Sequence, residues 1–241
     1  MDRRGFLIKA AASAAAFYIA PSKIAFLYAD EGGLYKRYES VKLVDKEGRP
    51  VTVDSLKTET AYLFNYPYVS TPSFLIKLSS PCEKEVKLKS ADGKEYIWKG
   101  GVGENRNIVA FSAICPHQMT YPTREQSFIA YVPSSEKTSA YERGGVIVCS
   151  SHMSVFDPSK GAKVLKGEAC EPLASIVLEI RDDGSIWAVG VLGPQKFHSF
   201  FRAFRPELRK QFGSSVKAKK LVKIYAPVVT LSEYSKDIIK V

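Results

Sequence analysis

This 241-residue sequence is poor in histidine, cysteine, methionine and tryptophan, with three, four, three and two of each. It has no internal repeat and no low-complexity tract. It also lacks any helix-turn-helix, ribonucleoprotein or zinc-finger-array pattern, so nucleic acid is not an expected partner despite a formal net charge of +10. Its one long apolar stretch, near the N-terminus, is interrupted by Pro21 and Lys23 and is marginal as a membrane span. The glycines of Gly100-Gly101-Val102-Gly103 open no helix, which excludes a phosphate cradle and leaves a loop. Hydrophobic residues make up 45% of the chain, ample for a core.

The scarce metal-binding residues are nevertheless concentrated. Two of the three histidines lie beside cysteines, in Cys115-Pro116-His117 and Cys149-Ser150-Ser151-His152. Each stretch offers one thiolate and one imidazole, and 31 residues separate His117 from Cys149. Two thiolates on one iron and two imidazoles on the other suit a [2Fe–2S] cluster with unlike irons. Cys2His2 is also a structural zinc set, although zinc modules usually pair like with like as C-x-x-C and H-x(3–5)-H. The remaining reading is two buried cysteines and two surface histidines without a metal.

The order C-x-H then C-x-x-H, followed by Ser154-Val155-Phe156 and Gly167-Glu168-Ala169-Cys170-Glu171-Pro172-Leu173, resembles the Rieske iron–sulfur family. The resemblance implies that Cys115 and Cys149 bind the inner iron and that His117 and His152 bind the outer one. His152, then His117, would contact the redox partner and couple electron to proton transfer. Ser154 matches a serine that donates to a bridging sulfide. Phe156 stands where high-potential members carry a tyrosine that donates to a ligand sulfur. Thr120 and Ser151 replace the cysteines of a loop-bridging disulfide. Met119 and Met153 replace frequent glycines and are expected to shield the cluster and pack the loops together. Gly167 and Glu168 belong to the covering loop, which here lacks two prolines and gains a charge. Phe156, the missing disulfide at Thr120 and Ser151, and Glu168 point to a lowered reduction potential. Cys82 and Cys170 are expected to pair as a disulfide outside the cytoplasm.

Short β patterns with turn signals run from about residue 41. Ala91-Asp92-Gly93-Lys94 and Asp182-Asp183-Gly184 mark hairpins. The resemblance implies a mainly β fold: an antiparallel base spanning 41–194, with an inserted cluster-binding subdomain at about 112–173. Residues 123–143 read as an insertion with an exposed centre around Pro133 to Glu136. In the tail, 195–241, Phe197, Phe200, Phe201, Phe204, Leu208 and Phe212 recur at helical spacing, and Pro206 starts a second helix. With Lys217, Lys219, Lys220 and Lys223 this forms a basic amphipathic element. It would meet anionic lipid or a partner subunit, or pack on its own domain. His198 reads as a packing or interface residue.

Asp2-Arg3-Arg4-Gly5-Phe6-Leu7-Ile8-Lys9, before an alanine-rich run, resembles a twin-arginine export signal. Residues 1–29 are expected to remain as a single membrane anchor, with 30–40 as a hinge and the head on the outer, periplasmic side. The resemblance then implies an electron-transfer subunit of a hetero-oligomeric, quinol-oxidising complex of the cytochrome bc type, between a cytochrome b-type subunit and a cytochrome c-like acceptor. One alternative is the small subunit of a molybdenum oxidoreductase of the arsenite oxidase type. The alternative of another class is a zinc-bound adaptor. An oxygenase would need a second, mononuclear iron site, and only His198 is left over.

Overall fold

The computed structural model describes residues 34–241. The expected signal, anchor and first part of the hinge lie outside them. Among the described residues, no helix is long and apolar enough to cross a membrane. The rest of the expected hinge is not a tether, because β1 (Tyr35–Val44) already begins there.

The fold is mainly β. After β1 come β2 (Ala61–Asn65) and β3 (Pro72–Lys77), then the hairpin of β4 (Val86–Lys89) and β5 (Glu95–Trp98), then β6 (Ile108–Ser112). In β3 and β6 every residue but Lys77 is buried. They pair antiparallel with Phe74 opposite Phe111, as expected for strands covered on both faces. The short β7 (Gln126–Ser127) precedes β8 (Ile129–Val132), β9 (Val146–Cys149), β10 (Ser154–Asp157) and β11 (Lys163–Lys166). The hairpin of β12 (Ser175–Ile180) and β13 (Ile186–Leu192) turns at Asp182–Gly184, where Gly184 adopts φ +74° and Asp183 accepts the Ser185 N–H at 3.0 Å.

The tail continues with helices α1 (Phe197–Ala203), α2 (Arg205–Phe212) and α3 (Ser215–Ala218). Then come β14 (Tyr225–Pro227), β15 (Val229–Thr230), helix α4 (Leu231–Tyr234) and β16 (Asp237–Ile238).

Eight strands form one sheet in the order β14-β1-β13-β12-β6-β3-β2-β15. Its two edge strands, β14 and β15, are separated in sequence by Val228 alone, so the sheet curls until its edges nearly meet. All its pairings are antiparallel except β14 with β1. A second sheet, β11-β10-β9-β8, carries the region between the base strands β6 and β12. Alternation in β3 divides the core: Phe74 and Ile76 pack with the second sheet and the β4–β5 hairpin, while Leu75 faces the curled interior.

Both flanking segments are built into the fold. Residues 123–143 are not only a surface insertion. Ile129–Val132 is a fully buried strand of the second sheet, while Ser134–Lys137 at the centre are exposed as expected, as are Arg124–Gln126, Ser139, Glu142 and Arg143. The tail's apolar face is not free for lipid either. Phe197, Phe200, Phe201 and Leu208 are buried in the second core. Each is worth about 2 kcal/mol when covered, and the chain's own sheet provides that cover.

Three exposed carboxylates on turns and caps ionise unusually readily. Asp92 is lowered to about 2, first by the Ser90 hydroxyl and then by Lys94. Asp183 is lowered to about 2 by the Ser185 hydroxyl and N–H. Glu233 is lowered to about 2 by Lys46 and by the Thr230 N–H of its capping box. Their ordinary values are 3.8 for Asp and 4.5 for Glu. Depressed folded-state values mean that the stability they supply is present above those ordinary values and is lost as pH falls towards about 2. Thermal melts from pH 6 to 2 should fall through this window, and Glu233→Gln should lower the melting temperature at pH 6 but not at pH 2.

Candidate metal centre

The two cysteines reach the centre from different sheets. β6 of the base sheet runs into the first loop, where the Cys115 N–H donates to the Thr120 carbonyl at 2.8 Å and the Met119 N–H to the Cys115 carbonyl at 2.9 Å. β9 and β10 of the second sheet flank the other loop, with Cys149 and Ser154 directly paired. The Ser150 N–H and hydroxyl both donate to the Phe128 carbonyl, at 2.7 and 3.0 Å. Each loop turns on one left-handed residue, Met119 at φ +61° and Met153 at φ +55°. A side chain there costs about 1 kcal/mol, which is why glycine suits such positions.

Cys115 and Cys149 are buried at 2% and 1% exposure and hydrogen-bond each other. Of the two, Cys149 is the one whose thiolate is favoured, first by the bond from Cys115, against the cost of burial, and then by the Ser151 N–H and hydroxyl. Cys115 is pushed up, first because its proton is held by Cys149 and then by burial, although the His117 and Gln118 N–H groups favour its thiolate.

His117 is half-buried and His152 exposed. Their rings meet edge to face with centroids 4.7 Å apart. The Nδ1 atom of His117 is buried with no hydrogen-bond partner among the described residues. Leaving such an atom unmet costs about 1–3 kcal/mol. Ligation to a metal would satisfy it.

The four residues thus form a cysteine pair and a histidine pair. Two thiolates for one iron and two imidazoles for the other, one of them with a buried Nδ1 that no protein group meets, fit a [2Fe–2S] cluster.

The Rieske [2Fe-2S] domain model matches residues 79–177. Over 210 residues the chain is 30% identical to iodate reductase subunit IdrB of Denitromonas iodatirespirans, covering 85% of this chain and 89% of the relative. The chain belongs to the Rieske [2Fe–2S] family. It is also 30% identical over 193 residues to iodate reductase subunit IdrB of Pseudomonas sp. (strain SCT), covering 80% of each. Among solved structures, the soluble domain of Rieske protein II (soxF) from Sulfolobus acidocaldarius matches with 25% identity and a TM-score of 0.45, covering 68% of this chain and 82% of that one.

This Rieske chain therefore carries a [2Fe–2S] cluster. Around its site, Ser154 is fully buried and its oxygen accepts the Ala169 N–H of the covering loop at 3.1 Å. Phe156 is fully buried in β10 opposite Ile147, a side chain with no donor to offer. Gly167 holds φ +96°, and a Cβ there would stand 2.3 Å from the Met153 carbonyl and 2.5 Å from the Ser154 Cα. The covering loop thus lies directly on the second ligand loop, with Glu168 exposed. His198 is exposed on α1.

Two expectations fail in this structure. Cys82 and Cys170 are free thiols, not a disulfide. Cys82 is packed in the first core, with its thiol pushed up to about 12 by burial, while Cys170 is exposed on the covering loop. The two methionines do not seal the loops together. Met119 packs against the second core and Met153 stands 36% exposed.

The sequence marked Thr120 and Ser151 only by what they lack. In the structure the Thr120 hydroxyl donates to that of Ser151 at 3.4 Å, joining the loops and leaving the Ser151 proton for the Cys149 sulfur. Donors to a ligand sulfur stabilise the reduced cluster, so this pair opposes the lowering expected from Phe156. At roughly 1 kcal/mol for the bond, Ser151→Ala should lower the midpoint potential by about 40 mV, as measured by redox titration of the EPR signal. Gly167→Ala should push the covering loop off Met153 and Ser154. Its cluster should be lost several-fold faster on incubation with a chelator, followed by visible absorbance.

Proposed function

We propose that this chain is the Rieske electron-transfer subunit of a multi-subunit oxidoreductase that reduces an oxoanion. The observation that carries this reading is the likeness, over most of both chains, to subunits of iodate reductases. It supports the oxidoreductase small-subunit alternative over the quinol-oxidising cytochrome bc setting, and a catalytic subunit as partner in place of cytochromes b and c. The Arg3-Arg4 signal resemblance supports export of the head beyond the cytoplasmic membrane.

Cys115 and Cys149 would hold one iron, and His117 and His152 the other. When bound, the cluster supplies a site that takes up and releases one electron at a time. The buried Cys115 and Cys149 keep water from the inner side, and their N–H donors balance the added negative charge. With one nitrogen on the iron, the exposed His152 ring would present its other nitrogen to solvent and to the redox partner. Ser154 spends only its acceptor on Ala169 and keeps its proton for a neighbouring sulfur.

EPR of the dithionite-reduced full chain should show a [2Fe–2S] signal of the mixed Cys/His type, with a midpoint potential that falls as pH rises. Co-isolation with a catalytic subunit should restore oxoanion-dependent reoxidation of that signal. A silent spectrum with stoichiometric zinc would sink the electron-transfer reading. A normal signal that only a quinol can reduce, with no oxoanion effect, would return the chain to the bc setting.

A further inference from the structure

The charge of the chain is not spread evenly. Between residues 196 and 225 there are nine Lys or Arg and one acidic residue, Glu207, so this segment alone accounts for +8 of the net +10. Lys196 pairs with the buried Glu171. Arg202, Arg209, Lys217, Lys220 and Lys223 form no ion pair among the described residues, and Lys219 lies over the Phe201 ring at 5.2 Å. The same segment exposes Val216 at 76%, Ile224 at 65%, Tyr225 at 59% and Leu221 at 37%.

This flank sits at the cluster end of the base sheet. Tyr121, just past the first ligand loop, packs edge to face on Phe200 and Phe204 with centroids 4.9 and 4.8 Å away. The Val222 N–H donates to the Pro67 carbonyl at 3.0 Å, and the Ser70 hydroxyl to the Ala218 carbonyl at 2.8 Å. The same loop runs into Pro72, whose carbonyl accepts the Ala113 N–H at 2.9 Å, two residues before Cys115. The α3 part of the basic flank, with Val216 and Leu221, therefore shares the cluster end, and the surface continues through Lys223, Ile224 and Tyr225 along β1, where the Lys42 N–H donates to the Ile224 carbonyl at 2.9 Å.

We propose that residues 216–225, with the exposed arginines of α1 and α2, form the docking surface for an acidic protein face, that of the subunit exchanging electrons with the cluster. This rests on the function proposed above. Charge complementarity identifies the occupant: a small apolar centre within a ring of unpaired cations matches a partner whose carboxylates surround an apolar spot. A lipid surface fits less well, because the large side chains that would insert into it, Phe197, Phe200, Phe201 and Leu208, are already buried in the chain's own core.

Zero-length carbodiimide cross-linking of the complex isolated from native cells tests the surface directly, because it joins only amines and carboxylates in contact. Lys217, Lys219, Lys220 or Lys223 should be joined to Asp or Glu of the catalytic subunit. The full-length Lys219→Glu/Lys220→Glu/Lys223→Glu variant should keep its EPR signal yet bind that subunit about tenfold or more weakly at low salt, with the difference shrinking at high salt. Unchanged affinity of the triple variant, or cross-links confined to other lysines, overturns the surface while the complex itself upholds the proposed function. Absence of this chain from any such complex overturns the proposed function and this surface together. Flotation of the wild-type chain, but not of the variant, with phosphatidylcholine–phosphatidylglycerol vesicles, without cross-links to protein, overturns it in favour of lipid.

Discussion

Cys115 leaves the eight-stranded sheet and Cys149 leaves the four-stranded sheet, so two thiols on different scaffolds have to meet in a buried place. The rest of the architecture serves that meeting. The first core fills the space between the sheets with Phe74, Phe111, Ile129, Ile147 and Phe156 and contains both cysteines. A burial cost for thiolates is offset by backbone N–H groups from His117, Gln118 and Ser151. The loops are fastened across the top by Thr120 and Ser151 and from the side by the backbone at Gly167. A hydrogen bond is weaker than a covalent bridge, so the fit of the covering loop carries more of the constraint here.

The segments that looked like additions are bonded to one another. The C-terminal β16 pairs in parallel with β7 of the 123–143 stretch. The Ser235 hydroxyl donates to the Thr123 carbonyl, and Lys240 pairs with Glu136. Through Ile129–Val132 that stretch also forms an edge of the cluster-bearing sheet. The tail thus closes the curled base with β14 and β15, covers its core with α1 and α2, and braces the second sheet with β16. Its buried aromatics are committed to these tasks, which leaves its cations, a few aliphatic residues and Tyr225 for an outside partner.

Redox tuning in this chain is a balance of opposing effects. Phe156 offers no donor where a tyrosine would, and the exposed Glu168 adds negative charge on the covering loop. The Ser151 N–H and hydroxyl act in the other direction, towards Cys149. Of the two positions that give up a disulfide, Ser151 thus supplies polar hydrogens to the ligand sulfur and Thr120 donates to Ser151 in turn.

The sequence by itself determined the chemistry of the centre. The spacing of Cys115, His117, Cys149 and His152 was legible because ligation needs fixed residue types close together in the chain. The two hairpin turns at Gly93 and Gly184 were legible for the same reason, since a tight turn is a local constraint. Strands β2, β8, β10 and β11 were not legible as strands, because their short segments lack clear alternation and owe their conformation to neighbours distant in sequence. Cys82 and Cys170 could not be judged from the sequence, since their separation in space is set by the packing of the first core against the covering loop. The same holds for Thr120 and Ser151, 31 residues apart in sequence and 3.4 Å apart in the fold. Only the tertiary structure decided which loop faces which, because that depends on how two sheets pack and not on any local pattern.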